Sequence, residues 1–256
     1  MKASVNVALF FSVLLSFSVF ACSYPNGSAF QSIAVDGGAI VFEYAPIEKE
    51  LPGKGGPQEQ GIDISYYSCS GALIGLIGQL PYLADTGKVR DAFLYGAGRV
   101  GEKKLFVIHS VEIRSDTGVK YLGDYYSVNI YGKDGDSYVR DDHLSDYFGV
   151  GGDILADDYN QILYTFPYKS EKAILDKLNS ESYEKWLAGT QVKLVINKKA
   201  PIYSLPVLSD VTHMYLIAGD TVYQEAVEAG WLSIVYETSK GTKIRGWIQC
   251  ENANGC

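Results

Sequence analysis

Val192-Lys-Leu-Val-Ile-Asn-Lys-Lys-Ala-Pro-Ile-Tyr-Ser-Leu-Pro206 is followed by Tyr215-Leu-Ile-Ala-Gly-Asp-Thr-Val222, then Gly230-Trp-Leu-Ser-Ile-Val-Tyr236, then Ile244-Arg-Gly-Trp-Ile248. Short apolar runs alternate here with Gly, Pro and Asp, the pattern of five or six brief strands joined by tight turns. Ser233 and Val235 fall on one side of their run, Leu232, Ile234 and Tyr236 on the other, so one face can be buried while the other is wet. Trp231 and Trp247 each follow a glycine, whose missing side chain lets a large ring lie across neighbouring backbone. A stretch this short is expected to close into a small β-barrel.

Four pieces of this stretch, Pro201-Ile-Tyr-Ser-x-Pro206, Leu216-Ile-x-Gly-Asp-x-Val222, Gly230-Trp-x-x-Ile-x-Tyr236 and Gly246-Trp-Ile248, resemble in order and spacing a bacterial SH3-like domain. The resemblance implies a module of exported proteins that binds cell-wall peptides or protein partners and performs no reaction. Trp231 and Trp247 suit either the core or the rim of such a groove. Tyr203, Tyr215 and Tyr236 are better placed for an exposed aromatic groove, because a phenol joins apolar area to a polar tip.

Upstream, Met1-Lys2 precedes an apolar run from Val5 to Ala21 broken only by Asn6 and three serines. A cation, an apolar segment and a small residue make a signal peptide, so residues 1–21 are set apart from the fold. The run is too short and poorly flanked for a membrane span. Cleavage after Ala21 exposes Cys22, which is also where a lipoprotein would carry its lipid. That lipid is the only expected contact with a membrane.

Four cysteines, Cys22, Cys69, Cys250 and Cys256, in an exported chain favour disulfides over metal ligation. Cys250 and Cys256 can join through a small loop, and Cys69 then pairs with Cys22 unless Cys22 is lipidated. The formal charge is -8 at pH 7, with the acidic excess upstream of Val192 and no basic stripe anywhere. Phosphate backbones repel such a surface, which argues against nucleic acid as a partner.

The N-terminal two thirds reads as a second domain. Ala39–Tyr44 and Ile62–Tyr67 are strands around a Gly/Pro-rich loop at Leu51–Pro57 that reads as a mobile surface loop. Gly71–Leu80 is expected to be a helix, with Leu73, Leu76, Ile77 and Leu80 at helical spacing and Pro81 as its stop, although Gly75 and Gly78 weaken it. Leu105–Ile113 alternates, Ser115–Gly118 turns, Tyr121–Tyr131 returns, and Lys133-Asp-Gly-Asp136 leads into Tyr138-Val139, giving an antiparallel meander. Many of the 20 tyrosines fall here and just beyond, where they suit a half-buried sheet. Ser170–Leu187 is helical, split at Asn179-Ser180.

From Arg140 to Asp158 the carboxylates Asp141, Asp142, Asp153 and Asp157 are clustered enough to suggest a calcium site. The calcium-loop template fails, however, and an acidic solvated loop is the expectation. One enzymatic pattern stands out. Tyr67-Ser-Cys69-Ser-Gly71 is similar to the nucleophile segment of NlpC/P60-type cell-wall cysteine peptidases, which implies Cys69 as thiolate and His109, on a following strand, as base. Ser68 replaces the aspartate usual in that family, and His109 lacks the family's following context. His143 and His213 have no convincing triad partner, and no serine-hydrolase, zinc, phosphate-loop or dinucleotide motif occurs. No cofactor is implied.

The expected architecture is mainly β with a few helices (α+β): a signal peptide at 1–21, an antiparallel β-rich acidic domain at 22–168, a helical connector at 169–189 and an SH3-like barrel at 190–256. The expected role is a non-enzymatic protein of the periplasm or cell envelope that binds a cell-wall peptide or an envelope protein, inhibitor and immunity proteins being examples of that type. The alternatives are the cysteine peptidase and a structural envelope lipoprotein.

Overall fold

The computed structural model describes residues 22–47, 59–97, 102–113, 118–135 and 137–255. The expected signal peptide, the 51–57 loop, residues 115–117 of the expected turn, Asp136 and Cys256 lie outside the described residues.

Three antiparallel sheets are stacked through two cores. The first is a four-stranded meander of β1 (Phe30–Val35), β2 (Gly38–Pro46), β3 (Gln60–Ser68) and β4 (Leu73–Gln79) in that order. The second contains β5 (Lys88–Gly96), β6 (Lys103–Glu112), β7 (Tyr121–Asp134), β8 (Ser137–Arg140), β9 (Val150–Leu155) and β10 (Ile162–Tyr164), ordered β10-β9-β7-β6-β5 with β8 on β7. Helix α1 (Asp142–Phe148) interrupts it, and α2 (Glu171–Leu178) and α3 (Glu181–Leu187) lead to the third sheet. That sheet holds β11 (Val192–Ile196), β12 (Ala200–Tyr203), β13 (Val211–Leu216), β14 (Thr221–Glu228), β15 (Trp231–Glu237), β16 (Lys243–Gln249) and β17 (Ala253–Asn254), in the order β13-β12-β16-β15-β14-β11-β17.

Strand β6 is the centre of the molecule. Leu105 and Val107 join Ile40, Phe42, Ile62 and Ile64 of the first sheet in one core. The residues between them, Phe106 and Ile108, join Leu144, Phe148 and Phe166 in the other, which runs on into the third sheet through Leu194, Leu232 and Ile248. The alternation at 105–113 therefore sorts residues between two buried faces rather than between core and water.

The expected fold class needs correcting. Among the described residues strands make up 54% and helices 13%, so the protein is mainly β rather than α+β. Nor does the C-terminal part form a separate small barrel. Its sheet is a half-barrel whose apolar face lies in a core shared with the second sheet and the helices. The brief amphipathic strands were visible in the sequence, but the partner for their apolar face lay some hundred residues upstream.

Residues 71–80 are likewise corrected, because 73–79 form β4, paired with β3 from Tyr67↔Leu73 to Asp63↔Gln79. Gly75 and Gly78 each cost a helix about 1 kcal/mol, and pairing with β3 satisfies the backbone instead. Leu73, Ile74 and Leu76 stay exposed as a result. The acidic segment 140–158 is also not a solvated loop. Asp141 caps α1, accepting the Leu144 N–H at 2.9 Å, and β9 follows.

Helices α2 and α3 form where the sequence placed them, each capped by a serine: Ser170 accepts the Ala173 N–H and Ser180 the Tyr183 N–H. At the end of α2, Lys177 is 6% exposed, and burial pushes its ammonium down to about 8. Around it stand Tyr147, Tyr168 and Tyr183, whose phenols burial holds above the ordinary value, and the Lys172–Asp176, Lys185–Glu181 and Lys198–Glu251 ion pairs. A lysine with a lowered folded-state pKa leaves the unfolded chain holding the extra proton, so stability rises with pH between about 8 and 10. Above pH 10 the buried phenols reverse the trend, since there the folded state holds the extra protons. Urea denaturation from pH 7.5 to 11 is expected to show this maximum, and Lys177→Met to remove its rising limb.

Candidate binding cleft

A cleft of about 410 Å³ opens between the second and third sheets. Its first wall comes from an irregularity in the β7–β9 ladder. Leu122 pairs with Asp153 and Tyr126 with Gly151, so residues 123–125 face Gly152 alone. A regular strand would set Tyr121 and Tyr125 about 13 Å apart. The bulge shortens that span, and their rings meet edge to face at 5.7 Å. Gly152 makes room for this pair, because a Cβ there would sit 3.0 Å from the Tyr121 ring.

Asp124, inside the bulge, accepts from the Ser110 hydroxyl at 2.8 Å and from the Arg90 guanidinium. Burial alone would raise its pKa, but the hydrogen bonds from Ser110 and Arg90 and the positive charges of Arg90 and Lys88 together lower it. The carboxylate thus anchors the bulge to β5 and β6.

The second wall is the β14–β15 hairpin. Ala229 and Gly230 turn the chain with φ of 49° and 82°, the double left-handed geometry that hairpin twist demands. Alanine is strained there, and two contacts hold it: its N–H donates to the Tyr147 carbonyl at 3.2 Å, and its carbonyl accepts the Tyr164 hydroxyl. Gly230 has a second constraint, since a Cβ would lie 2.8 Å from Pro167 Cγ. Gly230→Ala is expected to cost about 2–3 kcal/mol, combining left-handed strain with overpacking, measurable by calorimetry.

Beyond the turn, Trp231 stacks on Tyr164 at 5.5 Å and takes Tyr203 edge-on at 5.0 Å. Val150, Ile154 and Val207 complete an apolar lining in which the ionisable groups are Tyr121, Tyr125, Tyr164 and Glu228. Burial raises the pKa of Tyr121, and of Tyr125 with a further contribution from Tyr121. These phenols stay neutral and can donate hydrogen bonds at any physiological pH. The lining is mainly aromatic and aliphatic, with phenol hydroxyls on one wall that can donate hydrogen bonds.

Of the residues expected to form a groove, Trp231 lines this cleft. The others do not assemble with it. Tyr203 is buried behind Trp231, and Trp247, opposite Tyr203 in the sheet, packs against the core. Tyr236 is half-buried, its hydroxyl 3.4 Å from an Asp220 oxygen. Tyr215 is 56% exposed, with the Lys199 ammonium over its ring at 4.4 Å. The expected Tyr203–Tyr215–Tyr236 groove is thus corrected: the buried face of the sheet takes Tyr203, and Tyr215 points outward.

The peptidase pair is corrected too. Cys69 is bonded to Cys22 and offers no thiolate. His109 is 1% exposed on β6, its Nε2 2.9 Å from the Thr86 carbonyl oxygen, and burial, partly offset by that contact, lowers its pKa. The same disulfide leaves Cys22 no sulfur for a lipid. Cys250 is also disulfide-bonded.

Three of these four aspartates are in ion pairs. Asp141 binds Lys104 at 2.7 Å, Asp142 pairs with Arg140, and Asp153 takes Lys169 at 2.7 Å. Asp157 is exposed. Among the described residues no group of three or more His, Cys, Asp or Glu side chains is placed to hold a metal.

No protein-family model, curated protein or solved structure matches this chain. Sequence reasoning passed over Tyr121, Tyr125, Val150 and Ile154. The signals it had were the Tyr-rich run at 121–126 and the Gly151-Gly152 pair.

Proposed function

We propose that this chain is an exported, non-enzymatic envelope protein that recognises a peptide segment, of the cell wall or of an envelope protein, in the Tyr121–Tyr125 cleft. One observation carries the reading: a concave, aromatic and aliphatic cleft with neutral phenol donors on one wall, the composition that recognises extended peptides through apolar anchors and a few hydrogen bonds. The Cys22–Cys69 disulfide agrees with an oxidising compartment. The acidic balance of the chain, -8 overall, would draw a basic partner by charge steering.

The test is co-sedimentation with purified sacculi. Wild-type protein is expected in the pellet. Tyr121→Ser/Tyr125→Ser should weaken retention by roughly 30-fold, the loss typical of removing a central aromatic anchor. Tyr215→Ser, at an exposed position outside the cleft lining, should leave retention unchanged. If wild-type protein stays in the supernatant, the wall peptide is excluded as ligand. A photo-crosslinking residue at Tyr125 then tests for an envelope-protein partner.

A further inference from the structure

A second cavity, of about 560 Å³, is lined by Tyr168, Asp176, Lys177, Ser180, Cys250 and Glu251 among others. Its charges do not cancel. Asp176 is paired with Lys172 at 2.5 Å and Glu251 with Lys198 at 2.7 Å, so both carboxylates of the lining are neutralised by cations outside it. Lys177 has no such partner. Its Nζ donates to Ser182 Oγ at 3.0 Å and lies 5.9 Å from the Tyr147 ring centroid, and no carboxylate among the described residues pairs with it. An ammonium carries three N–H donors, and a buried one that uses a single neutral acceptor is far from satisfied.

The surroundings are under-satisfied in the same sense. Ser182 Oγ is 3.1 Å from Ser180 Oγ on the cavity wall, so a polar chain runs from the amine to the cavity. On the other side of the cluster the Tyr147 and Tyr183 hydroxyls are buried with no hydrogen-bond partner. The Tyr147 and Tyr183 rings are in contact at 5.5 Å, which makes Lys177, Ser182 and the two tyrosines one cluster.

We propose that this cavity is a small-carboxylate site, with the Lys177 ammonium as counter-ion to a monoanion that enters from the side lined by Ser180 and Cys250. A carboxylate supplies acceptors for the idle N–H donors and a negative charge where the fold has buried a positive one. Burial pushes Lys177 down to about 8, so the amine is charged at neutral pH but close enough to neutrality for a bound anion to change its protonation markedly. The site is independent of the aromatic cleft and of any peptide bound there.

The test is competitive lysine acetylation on the intact oxidised protein at pH 7.5. Acetic anhydride is the label, each lysine is followed by mass spectrometry, and benzoate is compared with its neutral isostere benzamide. Benzoate is expected to slow acetylation of Lys177 at least five-fold, leaving exposed Lys172 and Lys193 unchanged, and benzamide should do nothing. In calorimetry, benzoate should bind wild-type protein and bind Lys177→Met at least ten-fold more weakly. Acetylation of Lys177 that is indifferent to benzoate, or equally slowed by benzamide, overturns the proposal using wild-type protein alone. Undiminished benzoate binding by a folded Lys177→Met overturns it as well.

Discussion

Replacing Cys22 and Cys69 together by serine is expected to lower the unfolding free energy by about 4 kcal/mol, the chain-entropy value for a closed loop of the length this bond defines. The two cysteines are 47 residues apart and enclose β1, β2 and β3. Backbone bonds at the crosslink tie the same elements. Ser23 donates to the Cys69 carbonyl and Cys69 to the Gly37 carbonyl, both at 3.0 Å, so the β1–β2 turn, the β3–β4 turn and the start of the described chain meet at one point. The loss should therefore concentrate in the first sheet. Guanidinium denaturation of wild-type protein and the double variant gives the magnitude. Hydrogen exchange gives the location, with β1 to β4 amides losing protection before those of β6 and β7. A loss below about 1 kcal/mol would mean that the sheet's own pairing already constrains the unfolded chain.

Phe106→Ala is expected to cost about 3–5 kcal/mol, the range for emptying a large aromatic from a closed core. Phe106 is 0% exposed, stacks on Phe93 at 5.2 Å and meets Phe148 edge-on at 6.0 Å. Its strand is held between β5 and β7, which leaves the backbone little room to close the void. The neighbouring Leu105 points into the other core, so Leu105→Ala at about 2–5 kcal/mol gives an independent measure. If each face of β6 anchors one core, the two losses should add in the double variant to within about 0.5 kcal/mol. Strong coupling would show that the two cores unfold as one.

Much of the strand pattern was legible because its causes are local. The two-residue period at 105–113 and 121–131 and the helical spacing at 170–187, split at Asn179-Ser180, act within a few residues of themselves, and the structure has strands or helices at each. Residues 73–79 misled because Leu73, Leu76, Ile77 and Leu80 fit a helical stripe, and the β3 edge that captures them is not a local property. The cleft was illegible for a related reason. Tyr121 and Tyr125 come together only through a mismatch with β9, and Trp231 joins them only because the third sheet packs across the second. Tyr203, Tyr215 and Tyr236 looked equivalent in sequence, yet the fold buried the first, half-buried the last and exposed the other.

By itself the sequence determined several of the strands, those at 105–113 and 121–131 among them, where α2 and α3 begin, and that its cysteines suit disulfides, with Cys22 as the partner of Cys69 if it carries no lipid. Tertiary structure decided what each apolar side meets, that residues 73–79 pair as a strand, and which aromatic rings face a cleft. The division follows from range: periodicity, capping and turn chemistry are set within a few residues, whereas burial and pairing depend on surfaces brought together from far along the chain.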